Sequence, residues 1–213
     1  MKAAHFFTQE ENKRITAVIK SVESRSDGEV AVMVVDQSAS YQEADVLGGV
    51  ILGGLMALIL AEILVDSFGH DSLWYYIPLS FIFFFPFRLL TAKVPVIKNV
   101  FMTVKRKEEA VRQRALRAFY EKGLYRTRHH TGVLFFLSLL ERKVWVLADK
   151  GIHKKIDQET LNRFAQTVSQ GIGQGQACPA LCRAIEEIGR LLVEHFPATS
   201  GHTDQLPDQV LTE

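Results

Sequence analysis

The longest apolar stretch of the chain runs from Val46 to Leu90. It contains two segments, residues 46–65 and 73–90, that have one charged residue each. At a rise of about 1.5 Å per residue, the first segment would form a helix of roughly 30 Å, which is the thickness of a hydrocarbon core. The pattern therefore predicts a transmembrane hairpin at residues 46–92.

The ends of these segments support the same interpretation. Trp74 lies at one end of the second segment and Arg88 near the other, an arrangement typical of a spanning helix. A buried core hairpin is the alternative, and Pro78 and Pro86 argue against it because prolines weaken a soluble helix more than a membrane helix. Basic residues flank the hairpin on both sides and are absent from the loop at 66–72, which predicts cytoplasmic termini.

Gly49 and Gly53 form a GxxxG motif within the first segment. This spacing lets two helices approach closely. The motif predicts either that the hairpin packs on itself, which we favour, or that it forms a homodimer.

Outside the hairpin, the pattern is that of a soluble protein. Thr8 and Glu11 fit a capping box, and a strand follows from Glu29 to about Asp36. The segment GVLFFLSLLERKVWVLAD predicts two apolar strands that meet at a charged corner. Helices are predicted at about 104–122, 157–169 and 177–195, so the expected order is α-β-(hairpin)-α-β-β-α-α.

Strands that are apolar on both faces need helices on both faces, which predicts an α/β fold, a three-layer α/β/α sandwich interrupted by the two-helix hairpin. Residues 1–45 are too few to bury a core alone, so they must pack with residues 93–196 as one discontinuous domain. The remaining residues, 197–213, are rich in polar residues and proline and are expected to form a loosely ordered tail.

Several segments resemble the TPM domain family, named after a thylakoid lumen protein, a photosystem II repair protein and a nematode receptor modulator. They are SDGEVAVMVVD, VRQRALRAFYEKGLYRTRHHTGVLFFLSLLERKVWVLADKGI, EHFP and DQLPDQV. The chain is most similar to the bacterial branch in which a transmembrane hairpin follows the first strand. The resemblance implies an α/β/α sandwich and a multi-pass protein of the bacterial inner membrane. It also implies phosphatase activity and divalent-metal binding for some members, and assembly or repair roles for others.

Three acidic residues at strand ends are the candidate metal ligands. Glu29 begins the first strand, Asp36 ends it, and Asp149 ends the third. Ligand sites in open α/β sheets gather beyond strand ends, and carboxylates there could hold Ca²⁺ or Mg²⁺. The alternative, which we favour for each, is that these side chains cap turns by accepting backbone hydrogen bonds.

The charged corner and the polar segment before the second strand give two further candidates. Glu141 and Arg142 are expected to be a solvated pair, although the guanidinium of Arg142 could bind a phosphate or carboxylate. His130, within a polar cluster that includes Thr127, His129 and Thr131, could act as an acid or base. Glu29, Asp149 and His130 are thus the catalytic candidates, with ordinary loop polarity as the alternative.

Two remaining features have simpler interpretations. Cys178 and Cys182 lack the Cys-x-x-Cys spacing of redox sites and are expected to be reduced core residues. The basic run at residues 105–107 follows a predicted membrane helix, so it favours anionic lipid headgroups over nucleic acid as its partner.

Three functional classes remain. The first, which we favour, is a membrane-anchored factor for the assembly, maintenance or interaction of other membrane proteins, since no nucleophile motif, phosphate loop or metal motif is recognisable. The second is a divalent-metal-dependent phosphatase at the membrane surface. The third, a small channel or transporter, is disfavoured because two spans without a central ionisable residue make a poor pathway.

Overall fold

The computed structural model describes residues 2–68, 71–127, 129–198 and 210–213. The chain divides into two compact units, Met1–Ser38 with Glu108–Glu213, and Ala39–Lys107. We call them the sandwich unit and the hairpin unit. The hairpin unit is longer at both ends than the predicted insertion at residues 46–92, because its helices extend further and a short additional helix belongs to it.

Eight helices and four strands make up the described part of the chain. In order, they are α1 (Gln9–Glu23), β1 (Glu29–Val35), α2 (Gln42–Phe68), α3 (Ser72–Lys93), α4 (Pro95–Val100), α5 (Val104–Glu121), β2 (Gly132–Ser138), β3 (Lys143–Ala148), α6 (Lys150–His153), α7 (Gln158–Gly173), α8 (Ala177–His195) and β4 (Leu211–Thr212). Two short 3-10 helices, Ala3–His5 and Leu124–Arg126, precede α1 and β2.

The strands form one mixed sheet in the order β3-β2-β1-β4. β1 and β2 are parallel, with Glu29 opposite Gly132, whereas β2 and β3 are antiparallel. β1 and β2 therefore begin at the same end of the sheet, and β3 ends there. This arrangement decides which polar side chains meet.

Alternate residues of β1 enter two separate cores. Val30, Val32 and Val34 pack in a core with α1, α7 and α8. Ala31 and Met33, with their neighbours on β2, pack against α5 on the opposite face. Because both faces of the sheet are covered by helices, the structure confirms the predicted three-layer α/β/α sandwich.

A capping box sets the start of α1, and close packing against α8 holds the helix in the sandwich unit. The capping box predicted at Thr8 is present: its Oγ1 accepts from the backbone N of Glu11, and its own N donates to Glu11 Oε2 at 2.8 Å. At Gly189 of α8, an added Cβ would lie 2.4 Å from Cγ2 of Val22. The absence of a side chain at Gly189 therefore lets α8 pack directly on α1.

Within the hairpin unit, glycines of α2 contact α3. A Cβ at Gly49 would lie 2.9 Å from Cβ of Arg88, and one at Gly53 would lie 3.0 Å from the backbone of Phe83. The GxxxG face is therefore used within the chain, in agreement with the favoured interpretation, while the homodimer stays a prediction. Both helices are long and apolar enough to cross a membrane, over Gln42–Ser67 and Ser72–Lys93.

Two elements were not expected. The short helix α4 follows α3 directly. At the C-terminus, Leu211 and Thr212 pair with Met33 and Val34, so the last residues of the predicted loose tail are instead a strand. Of the DQLPDQV segment, only Val210 lies within the described residues, and it packs against the core of α1, α7 and α8.

Candidate functional site

Polar side chains gather where β1 and β2 begin and β3 ends. We call this group the histidine end; it comprises Asp27, Glu29, His129, His130, Thr131 and Asp149. The topology brings them together, since Glu29 N donates to Thr131 O and Asp149 N donates to Gly132 O. Glu29 and Asp149 therefore lie at the same end of the sheet, on either side of Gly132 of β2, even though 120 positions separate them.

Asp149 has two roles at this end. Its Oδ1 accepts from Lys150 N at 2.7 Å as the N-cap of α6, which is the turn-capping role that the sequence favoured. Its Oδ2 lies 3.1 Å from Nδ1 of His130. The carboxylate of Asp149 therefore orients the half-exposed imidazole of His130 through its Nδ1 atom.

The backbone around His130 is unusually constrained. His130 has a φ of +55°, a region that non-glycine residues rarely adopt. Its carbonyl accepts from Gly151 N at 3.0 Å, and a Cβ at Gly151 would lie 2.5 Å from the carbonyl oxygens of His129 and His130. Only glycine fits at this position, so the start of α6 packs directly against the backbone of His129 and His130.

Asp27 is a member of the histidine end that sequence reasoning missed. Its buried side chain lies 3.7 Å from Nε2 of His129, and its carbonyl accepts from Thr131 Oγ1 at 2.6 Å. Its signal in the sequence was the turn SDGE, in which a carboxylate precedes the strand that starts at Glu29. Glu29 is 1% exposed, so its carboxyl group lies inside the sandwich unit.

Asp36 is not part of this group. It follows the far end of β1, seven residues from Glu29, which at about 3.3 Å per residue is roughly 23 Å away. Its Oδ1 accepts from Ala3 N, and its own N donates to Glu213 O. The extended strand β1 therefore holds Asp36 away from Glu29 and Asp149, so the structure does not bring the three candidate metal ligands together.

The histidine end does not itself make a metal centre. Among the described residues, no group of three or more His, Cys, Asp or Glu side chains is placed to hold a metal ion. The carboxylates of Asp27, Glu29 and Asp149 differ in burial and in partners, and Asp149 already serves both His130 and Lys150 N. Among the described residues, the side chains at this end thus do not form the Ca²⁺ or Mg²⁺ site that the strand-end carboxylates suggested.

The charged corner between β2 and β3 also differs from expectation. Glu141 is buried rather than solvated; its Oε1 accepts from Ser38 N at 2.8 Å, and Oε2 accepts from the Ser138 hydroxyl. Arg142 is exposed with a φ of +53° and lies at the end of the sheet opposite to the histidine end. The structure does not bring Arg142 to the other candidates.

The two cysteines are buried core residues, as predicted. Their Sγ atoms lie 4.0 Å apart and both thiols are free. Desolvation by burial raises the pKa of Cys178 and raises that of Cys182 to about 12. Since the thiolate is the reactive form, burial lowers the reactivity of both thiols.

Comparisons with known proteins agree with this architecture. Residues 97–191 match the family model of the TPM domain. This match agrees, over residues 97–191, with the resemblance to the TPM domain family found in the sequence.

The chain is also similar to a solved structure, the NMR structure of BA42 protein from the psychrophilic bacterium Bizionia argentinensis sp. nov.. The identity is 18% and the TM-score 0.59, covering 97% of this chain and 94% of that one. At this identity the similarity establishes the fold alone. No curated protein matches the chain.

Proposed function

We propose that this protein is an integral membrane protein of the bacterial inner membrane whose TPM domain, on the cytoplasmic side, serves the assembly, maintenance or interaction of other membrane proteins. The observation that carries the proposal is the outward-facing apolar surface of the hairpin unit. Trp74, Phe81 and Phe85 are largely exposed on α3, and Val50, Leu55 and Ile59 on α2. Such a surface is unstable in water and suits a hydrocarbon solvent.

The position of the hairpin in the chain supports a tethered domain. It is inserted between β1 and β2, which are paired neighbours in the sheet. The distribution of basic residues favours cytoplasmic termini, because the 66–72 connection has no Lys or Arg. A TPM domain interrupted in this way works at the membrane and cannot be released from it as a separate chain segment.

The chemistry of the histidine end favours a binding role over a catalytic one. The hydroxyl of Thr131 donates to Asp27 O, and the hydroxyl oxygen of Thr127 accepts from Thr131 N at 2.9 Å. Both groups are buried and hold the loop together. Neither is presented as a nucleophile, which leaves this end with an oriented imidazole but no attacking group among the described side chains.

A phosphatase is the second candidate, and the His130–Asp149 pair is the observation that favours it. A carboxylate-oriented imidazole can transfer protons near neutral pH. A divalent cation would then have to be recruited to Asp149 and its neighbours together with the substrate. We derive no reaction step through such a cation, because the side chains present do not form its site.

One experiment separates the two candidates. The purified protein in detergent is mixed with Ca²⁺, Mg²⁺ or Mn²⁺, and thermal shift and hydrolysis of a generic phosphomonoester are measured. The binding role predicts no turnover above the rate without protein. Metal-dependent turnover that is lost in His130→Gln and Asp149→Asn, but kept in the matched variant Asp36→Asn at the opposite end of the sheet, would establish the phosphatase.

The interaction role itself is tested by photo-crosslinking in cells. Leu116 and Tyr120 are exposed apolar residues four positions apart on α5, and Lys154 is an exposed control outside this helix. We expect crosslinkers at 116 and 120 to give discrete adducts with integral membrane proteins, and one at 154 to give fewer. Equal labelling at all three positions, or none, would count against this face of the domain as the contact.

Membrane orientation is tested separately with reporters fused to either terminus. Cytoplasmic signals at both ends are expected. An extracytoplasmic signal at either end would overturn the proposed topology.

A further inference from the structure

The short helix α4 buries a charged side chain and exposes apolar ones, the reverse of a helix on the surface of a water-soluble protein. Its buried charged residue is Lys98, 6% exposed, whereas Val96 and Val100 are 68% and 77% exposed. Residues four apart lie on the same face of a helix, and a residue two positions from each lies on the opposite face. The lysine thus points inward and the valines point outward.

The inward lysine has specific partners that hold α4 in place. Nζ of Lys98 donates to Ser40 O at 2.8 Å and lies 3.1 Å from Oδ1 of Asp45. Asp45 lies in the first turn of α2, and α4 begins at Pro95, directly after the end of α3 at Lys93. A buried, hydrogen-bonded ion pair at this junction fixes which face of α4 is turned outward.

A further exposed valine and several basic side chains lie near the valine face in sequence. Val104, the first residue of α5, is exposed, as are Lys93 and Lys105. Arg106 forms an ion pair with Glu43 at 3.0 Å, again at the start of α2. The outward valines of α4 are thus flanked in sequence by exposed cations, at the end of the second candidate span and at the start of α5.

We propose that α4 is an interfacial helix that lies in the bilayer surface, with Val96 and Val100 inserted at the headgroup–acyl boundary and with Lys93 and Lys105 binding anionic phospholipid headgroups. Outward valines beside cations are the pattern by which amphipathic segments bind such surfaces. The proposal rests on the membrane placement proposed above. It adds a lipid-binding site outside the spanning helices and the chemical class of its ligand, an acidic phospholipid.

Continuity with the candidate spans decides between a lipid surface and a protein partner as the occupant of this face. The connection between α3 and α4 is Val94 alone, and Lys98 pairs with the start of α2. If α2 and α3 cross the bilayer, the ends to which α4 is joined lie at its surface. The valine face is then within reach of lipid without any other chain.

The test uses single cysteines labelled with an environment-sensitive fluorophore, in a background in which Cys178 and Cys182 are replaced by alanine. The labelled positions are Val100→Cys, Leu58→Cys on the exposed surface of α2, and Leu116→Cys on the exposed surface of α5. The protein is reconstituted in nanodiscs of phosphatidylcholine, with or without phosphatidylglycerol. Quenching is measured with aqueous iodide and with lipids that carry a spin label at shallow or deep positions.

We expect position 58 to be quenched by the deep label, position 116 by iodide, and position 100 by the shallow label, with iodide quenching several-fold weaker at 100 than at 116. Iodide quenching at 100 equal to that at 116, with 58 protected, would overturn the interfacial helix and leave the membrane placement intact. Iodide access at 58 would instead overturn the membrane placement. Protection at 100 without quenching by any lipid label would show that a protein covers the valines, and would also overturn the proposal.

The lipid class is tested by charge variants. We expect brominated phosphatidylglycerol to be enriched over brominated phosphatidylcholine near position 100, by up to about fivefold for each lysine at low salt. The variant Lys93→Gln/Lys105→Gln should abolish this enrichment. The matched variant Lys154→Gln/Lys155→Gln removes the same charge from exposed positions of the sandwich unit and should retain it. Equal enrichment in both variants, or none in the parent, would refute recognition of acidic lipid.

Discussion

Phenylalanine has opposite surroundings in the two units of this protein. Phe136 on β2 is fully buried between the sheet and α5, whereas Phe85 on α3 is 65% exposed. Both lie in well-formed secondary structure, in segments that are strongly apolar. The residue type and the regularity of its secondary structure therefore do not explain the difference. The two units differ in whether their large apolar side chains face inward or outward.

The comparison shows that the placement of apolar side chains indicates the solvent in which a folded unit is stable. Burial of apolar surface drives the folding of the sandwich unit, as in any domain surrounded by water. In the hairpin unit, small residues and polar groups such as Thr91 and Lys98 are inside, and large apolar groups are outside. That reversal is the arrangement expected of helices packed within lipid.

The largest effect expected from this comparison is on Phe136. Replacement by alanine should lower the free energy of unfolding of the sandwich unit by about 3–5 kcal/mol, because it leaves a cavity in a closed core. The matched variant Phe85→Ala should change it by less than about 0.5 kcal/mol. Labelling of Cys178 and Cys182 at pH 8 during denaturant titration measures this, since burial raises the pKa of the Cys182 thiol to about 12 and protects it in the folded state.

If Phe85→Ala destabilised the sandwich unit as much as Phe136→Ala, the contrast between the two units would be lost. Thiol labelling that proceeds quickly in the unmodified folded protein would contradict the burial of the cysteines on which the measurement depends.

A smaller effect is expected at the corner between β2 and β3, where two adjacent residues face opposite ways. Glu141→Ala should destabilise the sandwich unit by about 2–3 kcal/mol, because Ser38 N and the Ser138 hydroxyl lose their charged acceptor. Arg142→Gly should stabilise it slightly, by about 0.5–1 kcal/mol, because glycine relieves the positive φ. Equilibrium unfolding measures both, and equal effects would contradict the burial of Glu141.

The packing of the hairpin unit predicts a third contrast, between adjacent glycines. Gly53→Ile should weaken the contact between α2 and α3 by about 1–3 kcal/mol, since the new side chain meets the backbone of Phe83. At Gly54, the nearest atom is Tyr76 Oη at 3.4 Å, so Gly54→Ile should be tolerated better. Titration with SDS from a mild detergent unfolds the hairpin unit and distinguishes the two variants. If Gly53→Ile changed only the self-association of the protein and not this unfolding, a homodimer through Gly53 would be favoured.

The smallest effect is expected at the start of α1. Thr8→Ala should cost about 1 kcal/mol, because it leaves a backbone N–H of the first turn without its capping oxygen. Glu10→Gln, in the same turn but outside the capping box, should cost less. Thermal unfolding of the sandwich unit measures the difference, and equal losses would mean that the charge of the first turn, rather than the cap, stabilises α1.

Features that depend on nearby residues could be predicted from the sequence. The capping box at Thr8, the beginning of β1 at Glu29 and the helix Ala177–His195 follow from spacing and side-chain chemistry within a few residues. The strands are apolar at successive positions, which is typical of a sheet buried on both faces. This pattern predicted helices on both sides of the sheet.

Features that depend on pairing between distant strands could not be predicted. Glu29 and Asp149 lie at the same end of the sheet because β3 is antiparallel to β2, a direction that composition does not encode. Glu141 is buried because Ser38, 103 positions earlier, reaches its carboxylate. From the sequence, Lys98 of α4 is indistinguishable from an exposed lysine, because its partners Ser40 and Asp45 lie more than 50 positions earlier in the chain.

The pairing of Glu29 with Gly132 also sets an order of events during biosynthesis. Their separation is 103 positions, so at roughly 5–20 residues per second β1 leaves the ribosome about 5–20 s before its partner strand exists. Both candidate spans are translated within that interval, before β1 can pair with β2. The sheet is then completed only after Leu211 and Thr212 have been synthesised, so a chain truncated before Leu211 lacks this edge strand.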